Sequence, residues 1–425
     1  MRAASKIALG LGLGLGLGVS AHADPLDELG FGAAETGLAS SDAASAAGVA
    51  AAHGNPAGLA RAAEPEVMIG YQFSLDHLQI DGHDAGVTNS HGTTLGLDIP
   101  IDLGPVRVAT GVALYLPDQF LARIELYPIA EPHFVRFENA TQRVEVEPSL
   151  ALQIGDFAIG GGATFLADAR SKQLTFDVGV IAGQKQGDAN LDVGLPLRAA
   201  PHAGVWWRPH RKLELAATVR GPLSLDTALD IRANVSVPGV VTGDAIVSLR
   251  STSYYTPLRA DLAAAVHATE DLTLTADLAF QRWHALGSGV PDLKVLVDLS
   301  LAPPLVQGEP PPAHFHDIVE PRLGAEWHRD QLRLRAGFAY LPSPVPPQTG
   351  LTSFADGDRT LAALGAGWRL PSLGPLAEPI DFDVAVSWEH VMHELVQKEE
   401  ALVPGGAFSS GGDIVQASVS ATVRF

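Results

Sequence analysis

The connections between the alternating segments of this 425-residue chain switch regularly between short and long, and that parity restricts the fold more than any single motif. From Glu66 onward, fourteen segments place apolar side chains at about every second position. Strands are expected over 66–78, 90–102, 105–116, 141–154, 157–168, 199–208, 211–221, 255–267, 271–283, 317–328, 331–341, 360–370, 380–392 and 412–425. Even-numbered segments are followed by short turns: Leu103-Gly104, Gly155-Asp156, Pro209-His210, Thr269-Glu270 and Arg329-Asp330, with one longer piece at 371–379. Odd-numbered segments are followed by long stretches: 79–89, 117–140, 169–198, 222–254, 284–316, 342–359 and 393–411. Short turns at one end and long loops at the other, around an even strand number, describe a closed membrane barrel. A soluble β-sandwich has no reason to sort its loops by parity. The expected fold is all-β: a fourteen-stranded antiparallel transmembrane β-barrel with a small, partly helical N-terminal hatch in the lumen.

Composition agrees with this. Hydrophobic residues make up 46% and are spread thinly, with no apolar run of 18 residues after the N-terminus. Transmembrane helices are thereby excluded, whereas a barrel strand needs only about 9–11 residues with alternate ones apolar. The net charge of −20 argues against a nucleic-acid partner. There is no cysteine, so a hydrogen-bonded closed sheet, not disulfides, must supply rigidity. Residues 1–23 read as a signal peptide: Arg2 and Lys6, an apolar core from Ile7 to Val19, then the small-residue site Ala21-His22-Ala23. The Gly-Leu repeat inside it follows no strand and is not a phosphate loop. Residues 24–62 are expected as the hatch and 63–425 as the barrel.

Residues 24–62 are mostly Ala, Gly and Ser. Ser41-Asp42 is expected to cap a short helix from Ala43 to Ala52, which Asn55-Pro56 would end because proline disfavours the α region at the residue before it. If Arg329-Asp330 is a two-residue turn, Trp327 faces Leu332 toward lipid and Glu326 faces Arg333 toward the lumen. Arg333, Arg335 and Arg359 admit two readings: anchorage of a ligand head group, or ion pairing with Glu326, Asp356 or Asp358, and the second is favoured. His314-Phe315-His316-Asp317 has metal-like spacing but reads as loop histidines. His390-Val391-Met392-His393-Glu394 matches neither zinc order, and no G-x-S-x-G element is present. No catalytic residue, metal or cofactor is expected.

Four places in order resemble the long-chain fatty acid outer-membrane transporters of the FadL and TodX type. They are Asn55-Pro56-Ala57 after the Ala-rich segment; Thr256-Pro257-Leu258 through Gln281-Arg282-Trp283; His316-Asp317 to Arg335-Ala336-Gly337; and Ser343-Pro344-Val345-Pro346-Pro347-Gln348 followed by Asp356-Gly357-Asp358-Arg359. The resemblance implies a monomeric barrel in the outer membrane, among lipid and lipopolysaccharide, that takes up hydrophobic molecules passively. Long-chain fatty acids are the expected ligands. It implies that Asn55-Pro56-Ala57 links hatch and wall. It also implies that Gly111, placed by its position in the third strand, marks a kink, and that the loops 169–198 and 222–254 form an apolar groove. In the second loop Val235, Val237, Val240, Val241 and Ile246 would line that groove. Uptake of aromatic hydrocarbons by the same route, or a structural or adhesive barrel without transport, are the alternatives.

Overall fold

In the computed structural model the alternating segments join into one closed antiparallel sheet. The structure describes residues 17–18, 25–119, 127–128, 130–137, 143–167, 170–176, 179–181, 184–186, 189–194, 197–237, 241–286, 292–299, 302–306, 314–371, 378–399 and 406–425. The expected leader, 1–23, therefore lies outside the described residues except for 17–18. The barrel strands are β1 Glu66–Ile80, β2 Ser90–Asp102, β3 Val106–Pro117, β4 Glu145–Ile154, β5 Phe157–Ala167, β6 Leu197–His210 and β7 Leu213–Arg220. The second half comprises β8 Arg259–His267, β9 Leu272–Gln281, β10 Ile318–Arg329, β11 Leu332–Leu341, β12 Arg359–Leu370, β13 Ile380–Val396 and β14 Phe408–Arg424. Each pairs with its sequence neighbour, and β14 closes on β1 from Glu66↔Arg424 to Ile80↔Ser410. Phe425 N–H donates to Pro65 O at 3.0 Å and completes the seam.

The alternation is inverted relative to a soluble sheet. On β14, Gln416, Ser418, Ser420 and Thr422 are buried, while Val419 is 51% exposed. On β1, Gln72 and Ser74 are buried and Val67, Ile69 and Tyr71 face outward. Polar side chains line the lumen and apolar ones face lipid, as a membrane barrel requires. Trp207, Trp368 and Phe425 lie exposed at the short-turn end and Trp388 nearer the loop end, a placement suited to a headgroup belt.

Two expectations about turns and loops are corrected. The β10–β11 turn is Asp330-Gln331, so Trp327 pairs with Leu334 and Glu326 with Arg335. Asp330 adopts φ 54°, a left-handed value that aspartate tolerates better than arginine. The slip moves each pair by two residues on one strand, so each side chain keeps its face. The stretch 222–254 is not an open loop: Leu223–Val237 and Val241–Thr256 form a long hairpin. Asp292–Leu299 pairs with it on one side and Arg170–Phe176, in parallel, on the other. These strands belong to a second sheet at the loop end.

Residues 25–62, called the plug below, pack inside the barrel against its wall. The expected helix over Ala43–Ala52 does not form. Instead there are two five-residue helices, α1 Pro25–Leu29 and α2 Ala33–Gly37, and 3-10 turns at Gly48–Ala51 and Pro56–Arg61. Contacts with the wall outweigh weak local propensity here. Ser41 Oγ bonds Leu38 O and Thr275 Oγ1 instead of capping a helix. Gly48 takes φ 65°, and the next residue, Val49, donates its N–H to Glu66 on β1 at 2.9 Å. Leu26, Leu29, Phe31, Val49 and Leu59 pack on Met68, Ala109, Ala113, Tyr115 and Ala151 of the wall.

Candidate functional site: the plug, its wall contacts and the cap

The Asn55-Pro56-Ala57 turn starts a 3-10 turn instead of ending a helix. Asn55 Oδ1 accepts from Ala57 N–H at 3.1 Å, and Pro56 sits at the first position, where no N–H is needed. The other half of the amide leaves the plug's local backbone: Asn55 Nδ2 donates to Ala43 O at 2.9 Å and to Val205 O on β6 at 3.3 Å. The wall is shaved to receive this turn. A Cβ on Gly160 of β5 would collide with the Pro56 carbonyl carbon, and one on Gly204 of β6 with Asn55 Oδ1. Gly111 of β3 likewise leaves room for the Leu59 side chain. β3 is paired without a register shift on both edges through Gly111, so the strand carries no bulge there, and Gly111 is a plug contact. Replacing Asn55 by alanine strands Ala43 O and Ala57 N, a penalty of about 1–3 kcal/mol on the plug contact. Asn55→Ala is expected to lower ligand uptake while the heat stability of the barrel stays nearly unchanged, because the strand ladder is untouched. Normal uptake in that variant would leave the turn a structural detail.

Beside this turn, charges tie plug to wall. His53 Nδ1 lies 2.7 Å from Glu147 Oε2 of β4, and His53 Nε2 lies 3.4 Å from Asp27 Oδ1. Arg220 of β7 binds Glu147 Oε1, donates to Thr164 Oγ1 at 2.7 Å and donates to His53 O at 3.1 Å. Asp27 also pairs with Arg259 of β8 at 2.8 Å. Arg61 pairs with Glu214 of β7 at 2.7 Å and lies 4.2 Å over the Trp206 ring. Burial pulls the His53 imidazole down, but the Glu147 and Asp27 carboxylates outweigh it and hold it up at about 10. Burial pushes Asp27 up, but Arg259 and His53 overcome this and hold it well below the usual carboxylate range. Asp42, buried and near Glu35, is pushed up to about 8.

Among the described residues, His53, Glu145 and Glu147 are the group that could offer three ligand atoms to a common ion. Arg220 is already bound to Glu147 there, so the cluster is an ion-pair network, not a metal site. Ser149 Oγ and His202 Nε2 lie 2.6 Å apart, the spacing of a nucleophile and its base. Ser149 is nevertheless buried and does not border the small cavity that His202 lines, so the pair reads as a hydrogen bond within the wall.

The four lumen residues singled out from sequence divide between two ends. Arg335 pairs with Glu326 at 2.6 Å and Asp383 at 2.5 Å, and Arg333 lies 3.6 Å from Asp381. These line a cavity of about 240 Å³ at the short-turn end, bordered by Phe31, Leu38 and Val49 of the plug. Arg359 lies at the loop end, 2.8 Å from Glu389 and 3.3 Å from Glu28 of the plug. Asp356 and Asp358, expected as its partners, bond Ser343 and hold the 343–358 loop closed.

Above Arg359 the loops build an apolar cap. His133-Phe134 runs parallel to Phe354-Ala355. Trp283, Phe315 and Phe354 follow one another with ring centroids 6.4 and 5.9 Å apart, beside Val135, Tyr255 and Leu286. A second cluster joins Leu78, Val87, Phe134, Val391, Val396 and Phe408. Sequence reading also expects an apolar groove in the Val-rich stretch. Val240 lies outside the described residues. Val235, Val237, Val241 and Ile246 lie on the described hairpin backbone, with their side chains outside the description. The missed signal was aromatic: Phe134, Phe315 and Phe354 stand in loops otherwise rich in proline and polar residues.

Residues 138–425 match the family model described as outer membrane protein transport protein (OMPP1/FadL/TodX). The chain belongs to this family. It is accordingly an outer-membrane β-barrel of a hydrophobic-compound transport family. No curated protein matches the chain. Among solved structures, a FadL homologue of Pseudomonas aeruginosa is similar over 93% of this chain and 98% of its own, at 17% identity and TM-score 0.60. The Pseudomonas putida toluene transporter TodX is similar over 95% of this chain and 100% of its own, at 14% identity and TM-score 0.56. The Ralstonia pickettii toluene transporter TbuX covers 93% and 98%, at 14% identity and TM-score 0.52. At these identities the likeness shows the fold alone.

Proposed function

We propose that the protein carries long-chain fatty acids passively across the outer membrane. The observation that supports this reading is an amphipathic stack at the loop end. Arg136 is 1% exposed and lies 5.5 Å from the Trp283 ring centroid, and Arg359 lies 5.1 Å from that of Phe137. Apolar cap residues are thus directly joined to buried guanidinium groups, an order that suits an alkyl tail ending in a carboxylate. A neutral hydrocarbon would make no charge-assisted contact with the cations. A fatty acid crosses a polar outer leaflet poorly, and a water-filled pore cannot solvate its tail; an apolar entry leading to a plugged lumen addresses both difficulties. The plug fills the path, so passage needs the plug to shift, and the flow follows the concentration gradient.

A second reading, uptake of aromatic hydrocarbons, is favoured by the likeness to structures described as toluene transporters. Cells that lack other uptake routes and express this protein, supplied with labelled oleate or labelled toluene, separate the two. The account predicts saturable oleate uptake that exceeds toluene uptake. Toluene uptake without oleate uptake would contradict it.

A further inference from the structure

We infer that the plug carries its own stand-in for the ligand head group: the Glu28 carboxylate occupies the anion site between Arg136 and Arg359, and an entering carboxylate displaces it. This rests on the fatty-acid reading above and deepens it.

The geometry sets Glu28 apart from its neighbours. Its two oxygens are divided between two cations: Oε1 lies 3.8 Å from Arg136 Nη2 and Oε2 lies 3.3 Å from Arg359 Nη1. The wall anion is held closer, with Glu389 at 2.8 Å from Arg359. Asp356 approaches Arg136 at 3.6 Å and is anchored by Ser343 Oγ at 2.7 Å. Glu28 is thus the looser and less fixed of the anions, and its side chain is 14% exposed where those of Arg136, Arg359, Glu389 and Asp356 are at most 4% exposed. It is also the one anion of this group carried by the plug; the others belong to the wall and loops.

At the two guanidiniums the exchange preserves charge. One carboxylate leaves and another takes its place, so neither cation is left stranded. The displaced Glu28 keeps its charge on the plug and has to be met by water as the plug shifts. Small cavities of about 30 and 20 Å³ border Glu28, Arg136 and Glu389, so the surroundings of the leaving carboxylate are not close-packed. Phe137 and Phe134 of the same loop segment lie with ring centroids 6.0 Å apart, so a tail above the site meets aromatic surface. Displacement also has a consequence for gating. Glu28 lies in α1, where the adjacent Asp27 bonds Arg259 and lies 3.4 Å from His53. Losing the Glu28 contact removes one of the tethers that hold the plug at the loop end. A neutral ligand of equal length cannot perform the exchange.

The test uses the full-length protein in detergent micelles, with equilibrium binding of oleate and of oleyl alcohol. In Glu28→Gln the internal competitor is removed, and oleate is expected to bind about tenfold more tightly, the scale of one charge-assisted bond, with oleyl alcohol unchanged. In Arg136→Gln oleate is expected to bind about tenfold more weakly, again with oleyl alcohol unchanged. Heat-modified gel mobility and residual oleyl alcohol binding show that each variant is folded. Oleate binding to the unaltered protein with the same affinity in both variants would overturn the exchange and leave the fatty-acid reading standing. Equal shifts for oleate and oleyl alcohol would overturn it as well, because the effect would then not involve the carboxylate. Binding of oleyl alcohol but not oleate by the unaltered protein would overturn the fatty-acid reading itself.

Discussion

Glu147→Ala is expected to weaken the association of plug and wall by about 3–5 kcal/mol, the usual cost of stranding the partners of a buried charge. Glu147 is fully buried and holds His53 through one oxygen and Arg220 and Thr164 through the other. Its removal takes away the carboxylate that joins the Arg220 guanidinium to the His53 ring. Native-state hydrogen exchange of residues 48–62 measures this directly, since it reads the free energy of local opening. The barrel strands should keep their protection, because β4 retains its ladders with β3 and β5. The same contact predicts a pH dependence. His53 has a folded pKa raised to about 10 from an ordinary value near 6.5, so its contribution is complete below about pH 6.5 and is lost as pH rises through about 10. Asp42, raised to about 8, acts with the same sign. Asp27, held low, contributes above its ordinary carboxylate pKa and is lost only as pH falls below that range. Opening of the plug should therefore become easier from pH 6.5 toward 10. In Glu147→Ala most of that slope should vanish, because the largest force raising the His53 pKa is gone. An unchanged slope would place the pH dependence elsewhere.

The fourteen strands were legible because lipid on one side and a polar lumen on the other impose a period of two on every strand. Strand ends were less so. At Arg329-Asp330 the pattern fitted two turns equally, and the left-handed backbone at Asp330 decided between them. The Leu223–Val237 hairpin strand also alternates, in Leu223, Leu225, Leu229 and Ile231, but its position between two barrel strands made it read as a loop. The plug was hidden for the opposite reason. Its small residues carry almost no periodic signal, and its shape comes from groups on the wall such as Glu66, Thr275 and Glu147. The charges of the site were visible as residue types in polar rows. Their pairing was not, since Glu28 and Arg359 are 331 residues apart. Position in the third strand directed attention to Gly111, whereas Gly160 and Gly204, two and three strands farther on, receive the Asn55-Pro56 turn.

The second large effect concerns motion of the plug, on which the whole account depends. Ser41 Oγ of the plug and Thr275 Oγ1 of β9 are 2.8 Å apart, and both side chains are buried. Cysteines at these positions place two sulfur atoms within reach of a disulfide, whose S–S length is about 2.05 Å. The chain has no other cysteine to compete. In an exported barrel the bond should form without added oxidant. It fixes the middle of the plug to the wall while leaving the apolar cap, Glu28 and the Asn55 turn in place, so ligand binding at the cap should persist. Oleate uptake by cells expressing the Ser41→Cys/Thr275→Cys variant, measured before and after a membrane-permeant reductant, is the most direct test. The account predicts uptake at least about tenfold below the unaltered protein while the bond is intact, on the order of 1.4 kcal/mol or more in the barrier, and recovery on reduction. Undiminished uptake with the bond fully formed would show that ligands pass without the plug moving from β9, and would contradict it.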